Sequence, residues 1–317
     1  MNRSILLLLL IGSFWLRAQN PAKPWTPPRT PDGQPDLQGT WTNSTLTSLE
    51  RPAEFRDKPT LTREEAAAYQ DRLLGQLNRD RRDGGDATDV GRGYNELFFD
   101  RGGGLVRIGG VIHTSIVVDP PDGRIPALTP EARARIERDR AYARMHPADQ
   151  ASDRSLQERC LYWSTAGPPM LPGPYNNLYQ IYQTPGYVMI QSEMIHESRI
   201  IPLDGRPHLA PSIRQWTGDP RGHWEGETLV IETTNFNGKT KFHGSSENLK
   251  VIERLTREAP DKIVYRFTIE DPSTFTKPWT GELPLAATTD RIFEYACHED
   301  NRALVDILAG ARAQEKK

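Results

Sequence analysis

Glutamates, histidines and tryptophans are concentrated between residues 159 and 299, in the second half of the chain. The candidates for general acid–base chemistry are Glu193, His196, Glu253 and His298. Burial raises the pKa of a glutamate, and an imidazole titrates near neutrality, so both groups can exchange protons with a substrate at neutral pH. We predict that Glu193 and at least one of His196 and His298 face a common cavity.

Two of these candidates also have a structural interpretation. Glu253 lies in the run VIERLTR, where the alternative is a salt bridge to a neighbouring arginine on an outer sheet face. His298 follows Cys297 directly, so a structural hydrogen bond is the alternative to catalysis there.

Other polar and aromatic side chains of this region are suited to holding a polar substrate. They are Tyr175, Asn176, Arg199, Trp216, His223, Trp224 and Glu225. Tryptophan can stack on a sugar ring, although ordinary core packing is its commoner use. The loop at 167–177 contains four prolines and predicts either a rigid wall of the same cleft or a sharp crossover before the sheet.

Recognised motifs for metal or nucleophilic chemistry are missing from the sequence. A zincin motif needs a second histidine four positions after the first, and position 200, four after His196, is not histidine. There is no Gly-x-Ser-x-Gly elbow and no phosphate-binding glycine loop. We therefore predict no metal and no cofactor; a metal site assembled from distant residues such as His196, His243 and His298 is the alternative.

The N-terminus predicts export. Arg3 precedes an apolar stretch from Ile5 to Leu16, and Ala18 is a suitable cleavage residue, so residues 1–18 read as a signal peptide. An uncut membrane anchor is the alternative. Export places the chain in an oxidising compartment, where the only two cysteines, Cys160 and Cys297, are expected to form a disulfide. A thiolate nucleophile or metal ligand is the other use of such a cysteine.

Charge and hydropathy limit the partners. A formal net charge of −2 argues against nucleic acid, which requires clustered positive charge. No segment after the signal is long and apolar enough to cross a bilayer, so no stable membrane insertion is expected. A small molecule or an oligosaccharide is the predicted ligand, and the oligomeric state stays open.

The elements that must position these residues are mainly strands. Apolar stretches separated by Gly, Pro and Asn turns predict antiparallel hairpins. The predicted strands lie at 37–41, 111–118, 178–183, 187–193, 199–203, 228–233, 249–256, 262–270 and 291–296. Helices are predicted at 63–79, where Thr62 and Glu65 form a capping box, at 130–145, and at 301–313.

These elements predict a mainly β fold, an antiparallel meander that closes into a barrel or a sandwich. The triplet Gly39-Thr40-Trp41 is also found at the start of lipocalin barrels. After a linker at 19–36, we expect an N-terminal strand and two-helix segment at 37–158, packed on an antiparallel β domain with a C-terminal helix at 159–317.

Several runs together carry a family resemblance. They are RCLYW, LPGPYNN, EMIHESRIIPLDGRPH, GHWEGETLV, GSSENL, VIERLTR, DPSTFTKPWT and EYACHE. In these runs the chain resembles a large group of exported bacterial proteins of uncharacterised function. The resemblance covers nearly all of the mature chain and implies a shared fold, but no activity. The predicted signal peptide implies a periplasmic or extracellular location.

Three functions remain after these arguments. The first is an acid–base enzyme, a hydrolase or a lyase, acting on a carbohydrate-like or other small polar substrate in a barrel cavity. The second is a lipocalin-like protein that binds a small ligand without catalysis. The third is a structural or interaction module. The density of ionisable groups favours the enzyme over an apolar-ligand calyx, which would be lined mainly by Leu, Val and Phe.

Overall fold

The computed structural model describes residues 25–299 and 301–315. The predicted signal peptide and the first part of the predicted linker lie outside the described residues. The strands are β1 (Gly39–Thr42), β2 (Thr60–Leu61), β3 (Arg107–Ile108), β4 (Val111–His113), β5 (Val117–Asp119), β6 (Leu178–Thr184), β7 (Tyr187–Ser192), β8 (Ser198–Pro202), β9 (Asp219–Glu225), β10 (Thr228–Thr234), β11 (Lys250–Ala259), β12 (Lys262–Glu270) and β13 (Trp279–Ala287). The α-helices are α1 (Arg63–Leu77), α2 (Asp86–Gly91), α3 (Pro130–Met145) and α4 (Arg302–Glu315). Within these ranges no helix combines the length and apolarity needed to cross a bilayer.

Nine strands form one antiparallel sheet that curls into a nearly closed, barrel-like structure, which confirms the predicted mainly β fold. The hydrogen-bonded order is β8-β7-β6-β1-β13-β12-β11-β10-β9, the neighbour order of an up-and-down meander. The two edge strands, β8 and β9, contact each other. Neighbouring strands run antiparallel and the path contains nine strands, so its first and last strands, β8 and β9, run parallel to each other. Outside this path β5 pairs with β13, and β2, β4 and β3 form a separate small sheet.

Close packing in the barrel requires glycine at two positions. At the contact between the edge strands, a Cβ on Gly222 would lie 2.7 Å from side-chain atoms of both Ile201 and Leu203, so only glycine permits this approach. Inside the barrel, a Cβ on Gly281 would lie 2.2 Å from the ring of Phe267. Glycine at these two positions thus lets the edges approach each other and makes room for a core aromatic ring.

Alternation of side chains fills the barrel interior. On β12, Ile263, Tyr265, Phe267 and Ile269 are all fully buried, which confirms the period-two pattern of this strand. Their inward-facing counterparts on the other strands are largely aliphatic and aromatic, and they join in one hydrophobic cluster. The core of the barrel is therefore packed with side chains.

The two ends of the barrel differ in their connections. Short turns join β6 to β7, β9 to β10, and β11 to β12 at one end. The other end carries the long connections, at 43–177, 193–197, 235–249 and 271–278. Irregular backbone concentrates at this end, and functional residues in many proteins lie on such loops above a rigid scaffold.

Residues 162–171, which we call the plug segment, close the end with the long connections. Met170 is fully buried, and its backbone N–H donates to the Tyr265 hydroxyl at 3.0 Å. The Tyr179 hydroxyl donates to the carbonyl oxygen of Thr165 at 2.6 Å. Two core tyrosines thus hold the segment over the interior.

Helices α1 and α3 begin at the residues that the sequence predicts. In α1 the amide of Glu65 donates to the Thr62 hydroxyl at 3.2 Å, and the Glu65 carboxylate accepts from the amide of Thr62 at 3.0 Å. In α3 the hydroxyl of Thr129 accepts from the amide of Ala132 at 3.1 Å. Both contacts satisfy amides at a helix start that have no partner within the helix.

Some strand predictions need correction. The strand predicted at 291–296 is wrong, because residues 288–298 contain no strand and run back along the barrel after β13. The strand predicted at 111–118 is two short strands, β4 and β5, which belong to different sheets. The segment 37–158 also contributes β1 and β5 to the main sheet, so its chain is part of the barrel.

The sequence does not predict β9 or β13. Both strands contain residues that usually end or weaken a strand, namely Pro220 and Gly222 in β9 and Gly281 and Pro284 in β13. Tertiary packing overrides the local signal at both glycines, where the missing side chain is required.

Candidate functional site

A buried ion pair spans the interior of the barrel. Arg199 on β8 donates to both carboxylate oxygens of Glu253 on β11, at 2.7 and 3.0 Å. The two side chains are 3% and 0% exposed. A two-pronged contact of this kind satisfies both charges, which would otherwise be very costly to bury. Glu253 therefore points into the core, and the predicted salt bridge on an outer sheet face is wrong in its location.

Hydrogen bonds extend this pair to the plug segment. Tyr265 donates its hydroxyl proton to Glu253 at 2.8 Å and accepts from the Met170 amide. Burial lowers the pKa of Arg199, but the charge and hydrogen bonds of Glu253 outweigh it, so that pKa is raised overall. Burial, followed by the charge of Glu253, raises the pKa of Tyr265 well above its ordinary value. Arg199 therefore stays charged and Tyr265 neutral, as a structural network requires.

A large open cleft lies beside the barrel and has a volume of about 1020 Å³. We call it the acidic cleft, because Asp100, Glu193 and Asp290 line it with Arg291 as the one cation among the described lining residues. Two of the predicted substrate-binding residues, Tyr175 and Asn176, line it as well. The structure thus brings Glu193, Tyr175 and Asn176 together.

Glu193 is placed by the end of β7 and by the chain that follows β13. Its amide donates to the carbonyl of Leu178 at 2.9 Å, and its carboxylate accepts from the amide of Phe293 at 3.4 Å. The residue is only 6% exposed although it borders the cleft. Burial raises the pKa of Glu193 and the charge of Asp100 adds to the rise, while contacts from Phe293, Leu178 and Asn176 act in the opposite direction.

Asn177 is the residue that shapes one wall of the acidic cleft, and sequence reasoning missed it. Its side chain is buried, accepts from the Gly173 amide at 2.7 Å, and donates to the backbone carbonyl of Asp100 at 2.5 Å. The amide of Asp100 in turn donates to the carbonyl of Pro174 at 2.8 Å. The sequence feature that could have predicted this role is the position of Asn177 at the end of a Pro- and Gly-rich loop, where asparagine side chains commonly form hydrogen bonds with the backbone.

The two histidine candidates lie elsewhere. His196 is exposed, and its Nε2 lies 2.9 Å from Nε2 of Gln191. His298 is exposed and follows the disulfide. Neither is among the described residues that line the acidic cleft. Glu253 is inside the barrel, so the four predicted acid–base residues do not form one group.

The remaining predicted binding residues are spread over the barrel. Trp216 lines a separate cleft of about 290 Å³, together with Glu197 and Arg214. Trp224 packs partly against the core from β9. His223 and Glu225 are exposed on the same strand, and Glu225 contacts His223 at 3.1 Å and Arg254 at 2.7 Å. Because successive residues of a strand face opposite sides, the run from 223 to 225 cannot form one binding surface.

The predicted disulfide is confirmed. Cys160 and Cys297 are bonded, with their Cα atoms 5.7 Å apart. The bond ties the chain just before the plug segment to the end of residues 288–297, the segment that carries Phe293 into the acidic cleft.

A second open cleft, with a volume of about 660 Å³, borders the plug segment. We call it the basic cleft, because Arg101, Lys241 and His243 line it. Lys241 and His243 both have a φ of 46°, a left-handed conformation uncommon outside glycine. Burial lowers the pKa of His243, and the charge of Glu50 opposes this shift.

Among the described residues, no group of three or more His, Cys, Asp or Glu side chains is placed to hold a metal ion. Comparison of the chain with family models, with curated proteins and with solved structures found no match. Its function must therefore be argued from its own geometry.

Proposed function

We propose that the protein is an exported acid–base enzyme, a hydrolase or a lyase, that acts on an oligosaccharide or a similar polar substrate in the acidic cleft. The observation that supports this most strongly is Glu193, a nearly buried carboxyl that borders this cleft of about 1020 Å³ and has a raised pKa. A carboxyl whose pKa is raised holds its proton to higher pH than an ordinary glutamate does, which suits it to protonate a leaving group.

The other lining groups have roles in the same scheme. Asp100 is exposed and near enough for its charge to act on Glu193, so it is the candidate for the second carboxylate, the general base. In the hydrolase form of this scheme, Glu193 gives its proton to the glycosidic oxygen as the bond to the anomeric carbon breaks, and Asp100 takes a proton from the water whose oxygen bonds to that carbon. In the lyase form, Asp100 takes a proton from a sugar carbon, the C–H electrons form a C=C bond, and Glu193 protonates the oxygen that leaves from the neighbouring carbon.

Aromatic side chains around the cleft support a carbohydrate-like substrate. Phe98 and Phe293 line it and are 61% and 70% exposed, which is unusual for phenylalanine. Tyr175 also lines the cleft, and the side-chain amide of Asn176 offers two donors and an acceptor. Flat apolar rings beside polar groups fit sugars, whose faces are apolar and whose edges carry hydroxyls.

Export is supported by two observations. The chain contains a disulfide, which persists in oxidising compartments outside the cytosol. Its first residues have the charge and hydropathy pattern of a signal peptide.

The ligand-binding alternative predicts a different outcome in the same experiments. The barrel interior is packed with side chains, so a bound ligand would also occupy an outer cleft. A binding protein would retain an oligosaccharide in this cleft without converting it.

The test is turnover of a panel of neutral and acidic oligosaccharides by the wild type and Glu193→Gln. We expect the variant to lose about 100- to 10,000-fold in kcat, the usual contribution of a general acid. Glu197→Gln is the matched control, because Glu197 is close in sequence but lines the cleft of Trp216. Full activity of Glu193→Gln on a converted substrate would contradict the proposal, as would binding of the panel with no turnover.

A further inference from the structure

The acidic and basic clefts share a wall. Asp100 lines the acidic cleft and its neighbour Arg101 lines the basic one. In the same way Tyr175 faces the acidic cleft, while Pro174 faces the basic one. The backbone bond from Asp100 to Pro174, at 2.8 Å, joins the two strips of chain into one ridge. A ligand longer than one sugar unit can therefore cross from one cleft into the other.

The charged side chains that line the two clefts are mostly of opposite sign. The described lining of the basic cleft includes Arg101, Lys241 and His243 and contains neither Asp nor Glu. Arg101 pairs with Glu96 and lies with its guanidinium carbon 4.0 Å from the centre of the Phe99 ring. Because a guanidinium has five N–H donors, one carboxylate partner leaves others for a ligand.

Lys241 and His243 also keep hydrogen-bonding capacity. The Lys241 ammonium contacts Asp139 at 2.6 Å and is half exposed. Among the described residues, the ring nitrogens of His243 make no hydrogen bond, and the ring packs edge-on against Phe242 with centroids 4.7 Å apart. An ammonium has three donors, so an anion in the cleft can be shared between these groups.

The backbone holds this loop in a costly conformation. A positive φ is sterically strained for a residue other than glycine, and Lys241 and His243 both have a positive φ. Such residues persist where surrounding structure determines them, and they cluster at ligand sites. Here the conformation places both side chains on the lining of one cleft.

We propose that the basic cleft binds the carboxylate of an acidic sugar unit, and that the substrate is a uronic acid-containing oligosaccharide that crosses the ridge to Glu193. The binding of the carboxylate depends on the basic cleft alone. Its assignment to a substrate rests on the proposed function of the acidic cleft.

The experiment is calorimetric titration of the inactive Glu193→Gln protein with tetragalacturonic acid, with a neutral cello-oligosaccharide of the same length, and with inorganic phosphate. We expect the acidic oligomer to bind at least about tenfold more tightly than the neutral one, since a hydrogen bond to a charged group contributes that much. Phosphate tests whether the cleft takes any anion, and we expect it to bind more weakly than the oligomer.

Lys241→Asn provides the sharpest variant, because asparagine tolerates the left-handed backbone of this position while removing the charge. We expect about a tenfold loss of affinity for the acidic oligomer and none for the neutral one. Arg101→Met, which keeps much of the apolar stem over Phe99, should do the same. Lys239→Asn is the control, because Lys239 is two positions away and contacts the ring of Trp216 instead.

Each contrary result overturns a different statement. Equal affinity for the two oligomers, no binding of either, phosphate binding as tight as that of the oligomer, or an unchanged affinity in both Lys241→Asn and Arg101→Met overturns the acidic-sugar site. Turnover of neutral oligosaccharides that depends on Glu193 would leave the proposed function in place even then. Acidic-oligomer binding without any turnover would instead remove the proposed function and leave the binding site.

Discussion

Two glutamates of this chain lie in similar strand-rich sequence but have opposite environments. Glu253 is fully buried, accepts two hydrogen bonds from Arg199 and a third from Tyr265, and faces the packed core. Glu193 is almost as buried, borders an open cleft, and accepts from the Phe293 amide at 3.4 Å. Pairing makes the first carboxylate part of the scaffold. The second has no arginine or lysine contact among the described residues, and it is the one suited to proton transfer.

The largest expected effect comes from breaking the buried pair. Glu253→Gln keeps the shape of the side chain but leaves the Arg199 charge unpaired in the core. We expect the free energy of unfolding to fall by about 3–5 kcal/mol, measured by urea denaturation. The matched control is Arg254→Gln on the same strand, whose pair with Glu225 is half exposed, and it should cost less than about 1 kcal/mol. Similar losses for the two variants would contradict the scaffold role of Glu253.

The disulfide links the two environments, and removing it should affect them unequally. Replacing Cys160 and Cys297 by serine together should reduce the free energy of unfolding by about 2–4 kcal/mol, because the bond closes a long loop. The freed segment, 288–297, carries Phe293 to Glu193. Hydrogen exchange should therefore accelerate there more than in β11 and β12. Uniform acceleration throughout the chain would show that the bond does not hold the cleft wall in particular.

The fold is predictable from sequence to the extent that local patterns agree with packing. The alternation on β12 and the capping box at Thr62 and Glu65 are local and are both found. The sequence does not predict β9 and β13, because Gly222 and Gly281 weaken the local strand pattern. These glycines make room for side chains elsewhere in the chain, those of Ile201 and Phe267. A strand pattern cannot show which distant side chain will need that space.

The candidate site is less predictable for the same reason. The disulfide is predictable because Cys160 and Cys297 are the only two cysteines of the chain. The sequence does not indicate that Glu253 faces inward to Arg199 and away from its neighbour Arg254. That depends on strand register, and a shift of one residue would reverse the face. Asp100 was likewise not a candidate, because Asn177 brings it to the cleft from 77 positions away.

A double-mutant cycle sharpens the contrast by separating pairing from burial. Arg199→Met and Glu253→Leu together remove both charges, so no unpaired ion stays in the core. We expect the double variant to regain much of the stability that Glu253→Leu loses, with a coupling energy of about 2–3 kcal/mol in urea denaturation. Additive losses would mean that the two side chains act independently.

The smallest expected effect is the pH dependence that the unpaired carboxyl gives to stability. The pKa of Glu193 is raised in the folded protein, mainly by burial, so the folded state holds this proton more tightly than the unfolded state does. The stabilisation that this bound proton gives to the folded protein is fully present below the pKa of the unfolded glutamate. It is lost as pH rises through the raised pKa of Glu193 in the folded protein. The stability difference between the wild type and Glu193→Gln should therefore fall as pH rises from about 4 towards neutrality. Asp204 should show the opposite sign, because hydrogen bonds from Arg206 lower its pKa to about 2, and its contribution to stability is lost as pH falls towards that value. A flat or rising difference for Glu193→Gln would mean that its proton is not held more tightly in the folded protein, and the general-acid role would then lack its physical basis.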